Sequence, residues 1–472
     1  MSLLQLTQLI SSIGLAVVGV TIPSLSPLLW VAFCPFLLAI RQMKPLKSFA
    51  AGFSVGAIFF SIFLGWITRY ELRIFLLVLS AAAFFFACFG ALTCFFWQKT
   101  SKPLAIILTP PLAWCALSFI YSQTTLDTLG DQLAIFAATS LPALVYTTGI
   151  SGVTFLIWYV NSLAAYCFWI KKNRLWLLVI TVLLVASFRT QPKIALGTEP
   201  IQVALIQHNF PISSEWRSLH QEEILTEYEN AALAYGPDAD LIVFPQYGLP
   251  FDALRTPDSL LILPQRTNSP ILLGTYVPKT AGASVDQGER TNSALLFGTN
   301  QSIQEYQAVA PPPFRRIGQV LGQTHRPLML GTVPIGVLLC YEDVKSSEGL
   351  AWVRAGAEIL FALSNTGHFT GTPLARYHLL HDRIRAIETG RFVVRVSPNG
   401  YTAVIDPHGN LIQQSNLNEK AIITGEISPS RSRTLFSRWG PLVPFGSFVW
   451  VVIWFFRDYP RDWIKRLARK TR

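Results

Sequence analysis

Apolar residues crowd into long, nearly unbroken runs over the first 190 positions and then give way to short ones. The long runs lie near 4–22, 24–40, 49–68, 74–97, 103–121, 148–170 and 175–188, and one more lies near 440–456. A helical span needs about 20 mostly apolar residues. The pattern therefore predicts seven spans in the first part of the chain and an eighth near its end. A further apolar piece, 133–146, is interrupted by Pro142 and reads as interfacial or re-entrant. The first run has no Lys or Arg before it and no cleavage site after it, which predicts a retained span rather than a signal peptide.

Between 200 and 430 the pattern changes period. "IQVALIQHNF" (201–210), "DLIVFPQYG" (240–248), "PILLGTYV" (270–277), "NSALLFG" (292–298), "VPIGVLLCYE" (333–342), "AEILFALSN" (357–365), "RFVVRVSPNG" (391–400) and "YTAVIDPHGNLI" (401–412) read as short strands. "SSEWRSLHQEEILTEYENAALAYG" (213–236) and "PLARYHLLHDRIRAIETG" (373–390) read as amphipathic helices, the second closed by Gly390. Strands alternate with helices and several strands are apolar throughout, which predicts an α/β sandwich with buried sheets. The apolar loops 256–268 and 320–330 are candidate lid or arm segments.

Composition supports the membrane reading. Hydrophobic residues make up 51% of the chain and charged residues only 14%, against about a quarter in soluble proteins. The net charge of +11 invites a nucleic-acid partner, but its placement argues otherwise. With the N-terminus in the cytoplasm, "RQMKPLK" (41–47), "QKTSK" (98–102), "KKNR" (171–174) and the tail "RDYPRDWIKRLARKTR" (457–472) all fall inside. The stretch from about 190 to 436 then lies outside. Within the tail, Trp463 and Ile464 sit among the charges, which suits an anionic lipid surface as well as a topogenic signal.

Five of the six cysteines, Cys34, Cys88, Cys94, Cys115 and Cys167, lie in apolar runs and read as small hydrophobes. The sixth, Cys340, ends the strand "VPIGVLLCYEDV" (333–344). It is a candidate nucleophile, although a buried thiol at a strand end is also chemically inert in many proteins. Glu342, two positions on, shares its face if the segment is extended, and so is a candidate supporting group. His368 is a candidate neutral-pH base. His378 and His381 stand three apart on a helix without a third ligand, so no metal is expected, and no cofactor is called for. Arg383, Arg385 and Arg391 read as structural partners at a sheet edge.

The order of these motifs carries a resemblance. "CYED" is followed by "RAGAEILFALSN" and then by "HDRIRAIETGRFVVRVSPNGYTAVIDPHGNLI", while "GISGVTFLIWYVN" (149–161) sits in the membrane part. Together these resemble the apolipoprotein N-acyltransferases, membrane members of the nitrilase superfamily. The resemblance implies a polytopic α-helical membrane domain of about eight spans carrying an extracytoplasmic nitrilase-like αββα sandwich. The divisions would be 1–190, 199–434, 438–457 and a basic tail at 458–472. It implies a bacterial plasma-membrane protein with both termini cytoplasmic. It also implies a reaction. A cysteine thiolate takes an acyl chain from phospholipid as a thioester and passes it to the N-terminal amine of a diacylglyceryl-Cys lipoprotein, with a glutamate as base and a lysine at the oxyanion.

Two of those three positions depart from the pattern. The family's W/F-P-E motif reads "VFPQYGLP" here, so the base position is Gln246, and an amide accepts no proton at neutral pH. The family's Y-x-K-x-x-L-V-P-F-G-E reads "EYQAVAPPPFRR". Tyr306 and the "PF" at 313–314 fix the register. The lysine position is then Ala308, and a second glutamate position is Arg316. Losing a general base costs about 10²–10⁴ in rate, and losing an oxyanion donor about 10²–10³. The sequence thus supports two readings: an impaired acyltransferase on phospholipid and lipoprotein, or a non-catalytic lipid- and lipoprotein-binding paralogue. An amidase for small substrates needs the same missing residues and has no use for eight spans.

Overall fold

The computed structural model of the 472-residue chain describes every residue except 125–129, 171–174, 212, 250–252, 255–257, 281–287, 313–317 and 458–472. The basic loop 171–174, the "PF" pair at 313–314, Arg316 and the tail beyond 457 therefore lie outside the described residues.

The first part folds as helices α1 (Leu3–Thr21), α2 (Cys34–Ile40), α3 (Pro45–Phe63), α4 (Leu72–Trp97), α5 (Pro103–Tyr121), α6 (Pro142–Thr148), α7 (Ile150–Ile170) and α8 (Leu175–Ser187). Among the described residues, six helical segments are long and apolar enough to cross a membrane: α1, Pro23–Ile40, α3, α4, α5 and α7. The expected count of eight is thus approximate. The described part of the seventh run, α8, has 13 residues and a rise of about 20 Å.

The second expected span is not one continuous α-helix. Pro23 and Pro27 hold its first half as a 3₁₀ helix, Pro23–Trp30, before α2 begins. In hydrocarbon each backbone group freed by such a break needs a partner. The buried Asn161 of α7 supplies both kinds: its Oδ1 accepts from Phe33 N at 2.7 Å and its Nδ2 donates to Leu29 O at 3.0 Å. Around it, Phe33, Phe86, Phe89, Trp114 and Trp158 pack ring against ring, with Phe89 and Trp158 centroids 4.4 Å apart.

The second part begins with β1 (Ile201–Gln207), α9 (Ser214–Leu219), α10 (Gln221–Tyr235), β2 (Leu241–Gln246), α11 (Asp258–Thr267), β3 (Ile271–Pro278), β4 (Arg290–Phe297), β5 (Ile303–Gln307), β6 (Gln319–Val320) and β7 (Leu328–Leu330). It continues with β8 (Val333–Leu339), α12 (Ser346–Ala355), β9 (Ile359–Leu363), α13 (Leu374–Thr389), β10 (Val393–Val396), β11 (Ala403–Ile405), β12 (Leu411–Gln414) and β13 (Ala421–Ile427). Two short helices, α14 (Leu435–Trp439) and α15 (Leu442–Arg457), end the described chain. The first amphipathic stretch is broken at His220, and the loop expected at 256–268 is largely helix α11.

One sheet runs β13-β1-β2-β3-β4-β5, with β6 on β4, and the other β12-β11-β10-β9-β8-β7. β1–β3 and β8–β10 are the parallel cores of the two sheets. Side chains alternate as the strand period requires. Leu241 and Val243 face the core shared by the two sheets, while Ile242 and Phe244 face Ile224 and Tyr228 of α10 and Leu263 of α11.

Helix α13 is buried on two sides. Leu379 and Ala386 pack with the sheets, while Tyr377, Ile384 and Ile387 belong to the core of the membrane helices. Its seat is the piece 133–146. That piece forms two 3₁₀ turns, Ala134–Phe136 and Ala138–Ser140, and most of α6, and its Ala134, Ile135 and Ala138 are fully buried. Tyr377 stacks on Phe63 at 5.2 Å and meets Phe136 edge-on at 5.8 Å. Gly390 closes α13 at φ +66°, as the sequence predicts.

Candidate active site

The parallel strands β2, β8 and β9 all end at one edge of the sandwich, where open α/β sheets place their ligands. Gln246 is the last residue of β2, Cys340 follows β8, and Asn365 follows β9 by two positions. Ala308 follows β5 on the same side. All four line one cavity of about 130 Å³, together with Asn292, Gln319, Tyr276 and Tyr341. Tyr70, from the loop between α3 and α4, and Phe369 complete it. That loop is fastened down: Arg69 Nη1 donates to Thr370 O at 2.5 Å, and Trp66 meets Phe369 edge-on at 5.4 Å.

Cys340 adopts φ +55°, the left-handed region, which costs a residue with a Cβ about 1–2 kcal/mol. The strand ends there and the chain turns at once into a 3₁₀ helix, Cys340–Val344. The extended geometry expected for Glu342 is therefore wrong. The turn carries Glu342 into the protein, fully buried, where it gathers four donors. Its Oε1 accepts from Tyr306 Oη (2.9 Å), Val309 N (2.8 Å) and Ala310 N (3.2 Å), and its Oε2 from Leu339 N (2.9 Å). It thus binds the segment after β5 to the end of β8. Burial, with the charge of Glu348 behind it, pushes its carboxyl up to about 7.

The next residue, Asp343, anchors the turn from below. It accepts from His378 Nδ1 at 2.7 Å and from Arg395 Nη1 at 3.1 Å, and Arg395 also donates to Asp382 at 2.6 Å. Burial opposes the charge on Asp343, yet His378 and Arg395 hold its pKa below the ordinary aspartate value. His378 is thus a structural partner, and among the described residues no cluster has the make-up of a metal site. Arg383, Arg385 and Arg391 bond to Gly409 O, Glu388 and Ala357 O. The side chain of His368 lies outside the description.

Gln246 is 2% exposed and held at both ends. Its Oε1 accepts from Asn365 N at 3.0 Å and its Nε2 donates to Asn292 Oδ1 at 2.9 Å. A register shift in β2 between Phe244 and Gln246 sets the residue opposite Gly274. A Cβ at Gly274 would stand 2.7 Å from Gln246 Cα. Gly274→Ala is therefore expected to cost about 1–3 kcal/mol through overpacking and to displace Gln246; a thermal melt of the purified variant checks this. Ala308 is 3% exposed, and its backbone bonds to Asn292 O and Gly322 N.

None of the described lining residues is Asp, Glu, Lys, Arg or His. Sequence reasoning missed Tyr70, Asn292, Gln319 and Asn365. The available signal was a polar residue at the edge of an apolar strand: Asn292 in "TNSALLF", and Asn365 in "LFALSN".

Two family models match the chain. The carbon-nitrogen hydrolase model covers residues 202–435, and the apolipoprotein N-acyltransferase N-terminal domain model covers 12–163. The chain belongs to the apolipoprotein N-acyltransferase family. Relatives bearing that name include one from Geobacter metallireducens, 26% identical over 91% of this chain and 90% of its own length. Another, from Gloeobacter violaceus, is 25% identical over 88% of this chain and 86% of its own. A third, from Nostoc sp., is 24% identical over 91% and 96%. Membership in the apolipoprotein N-acyltransferase family, with the six apolar helices, makes this a bacterial membrane protein.

Proposed function

We propose that this chain works on the chemistry of its family at an impaired rate. Cys340 takes an acyl chain from phospholipid as a thioester, and the N-terminal amine of a diacylglyceryl-Cys lipoprotein receives it. The observation that carries the reading is the single cavity that holds Cys340 with positions 246 and 308. Gln246 and Ala308 stand where the base and the lysine are expected, and Glu342 supports the loop beside the thiol. Domain divisions at about 190, 199–434 and 438–457 fit this reading, as does the sandwich on the outer side of the plasma membrane with both termini inside.

A second reading, a binding paralogue without turnover, is favoured by one observation: the described lining holds no charged side chain. A thiol is only a few per cent ionised at neutral pH unless a neighbour takes its proton. Incubation with phospholipid followed by mass spectrometry of the Cys340 peptide separates the two. A hydroxylamine-labile acyl adduct, absent from Cys340→Ala, is the expected result for the first reading. An unmodified peptide together with retained lipopeptide binding would establish the second.

A further inference from the structure

The hydrogen bonds at Gln246 fix more than its own position. A backbone N–H can only donate, so the bond from Asn365 N makes the atom it meets the oxygen of Gln246. The amide nitrogen of Gln246 then faces Asn292 and must donate, which makes the facing atom of Asn292 its oxygen. The Nδ2 of Asn292 is left on the cavity side, with no hydrogen-bond partner among the described residues. Asn292 is only 4% exposed, so this donor is held in place by packing. Asn365 is set in the same way: its Oδ1 accepts from Gly367 N at 3.0 Å, which leaves its Nδ2 as the donor available on a residue that lines the cavity. Two backbone N–H groups thus orient two side-chain N–H donors on the wall beside Cys340.

A glutamate at 246 reverses this polarity. A carboxylate has no proton to give, so Asn292 must turn its Nδ2 toward it and present its oxygen to the cavity. That wall would be anionic and acceptor-rich, suited to an ammonium group. The wall with Gln246 is neutral and donor-rich. A donor-lined, uncharged wall matches a carbonyl oxygen and leaves a buried ammonium without a counter-charge, which is costly.

We propose that this cavity recognises an acyl carbonyl through Asn292 and Asn365, so that it takes an N-acylated lipoprotein end in preference to one with a free α-amine. The inference rests on the reading that lipoprotein and phospholipid are the ligands. The same carbonyl chemistry is present in phospholipid esters, and the test includes both sources.

The experiment measures binding of the full chain in detergent to a fluorescent diacylglyceryl-Cys peptide, with its α-amine either free or N-acetylated. Displacement of the peptide by an ester phospholipid and by its ether analogue runs in parallel. At pH 7 the N-acetyl peptide is expected to bind at least about tenfold more tightly, the effect of about 1.4 kcal/mol. The gap should narrow at pH 9, above the amine's ordinary pKa of about 8. Gln246→Glu should erase or reverse the preference. A preference confined to the ester over the ether lipid assigns the carbonyl to phospholipid and overturns the preference for an N-acylated lipoprotein end. Equal binding within both pairs overturns the inference while leaving the functional reading intact. No binding of any probe overturns both. The comparisons on the unaltered chain decide the matter even if the variant fails to fold.

Discussion

Gln246→Glu combined with Ala308→Lys is expected to raise transfer of an acyl chain to a diacylglyceryl lipopeptide by at least about 10²-fold, the typical worth of one restored base or oxyanion group. The geometry favours both substitutions. Glutamate is isosteric with Gln246, keeps the bond from Asn365 N, and gains one from Asn292 after that amide turns. A lysine at 308 would leave a buried position on the cavity wall and enter the space that holds Cys340. The two new charges would also balance one another. Either reversion alone is expected to gain much less, because a lone charge in an enclosed site lacks its counter-ion. Initial rates of lipopeptide acylation for the parent and the three variants, followed by gel shift, provide the check. A double variant no faster than the parent would mean that more than these two side chains separates this cavity from a working one.

Glu342→Ala is expected to lower stability by about 3 kcal/mol or more. It strands three buried N–H groups, those of Leu339, Val309 and Ala310, together with the hydroxyl of Tyr306. Each buried donor without an acceptor costs about 1–3 kcal/mol, and partial relaxation keeps the sum below the maximum. Glu342→Gln should be milder, since its oxygen keeps three of the four bonds while its amide nitrogen opposes Leu339 N.

Both variants also remove a pH-dependent contribution, and the milder Glu342→Gln is the one in which to measure it. The folded pKa of Glu342 is raised, by burial first, from 4.5 to about 7. The folded state therefore binds more protons than the unfolded one between these values, and the contribution is full below 4.5 and lost as pH rises through about 7. Glu342→Gln should flatten that part of the stability profile. Denaturant titrations at pH 4.5, 6 and 8 measure it; an unchanged slope would show that other buried acids carry it.

The spans, the sandwich and the position of Cys340 were legible because they rest on local signals. Hydrophobic period, run length and Gly390 at φ +66° each follow from a few neighbouring residues. The apolar pattern does not show the break in the second span, although Pro23 and Pro27 announce it, because apolar content alone does not distinguish an α-helix from a 3₁₀ one. The turn that buries Glu342 is not visible in the sequence, because the left-handed backbone at Cys340 is set by what surrounds it. A non-glycine residue there has no sequence signature. The orientation of Asn292 was least accessible, since it depends on a chain of bonds from Asn365 through Gln246, and those residues meet only after both sheets have formed. Resemblance singles out position 246, and the hydrogen bonds show its effect on its neighbour.

Tyr70 reaches the cavity from between α3 and α4, on a loop pinned by Arg69 and Trp66. Part of the roof over Cys340 is therefore built by the membrane helices. A fragment cut to the sandwich alone would be unroofed, and α13 would lose the apolar seat on which Tyr377, Ile384 and Ile387 rest. Ligand selectivity measured on such a fragment would describe a different vessel, one without the wall that Tyr70 supplies.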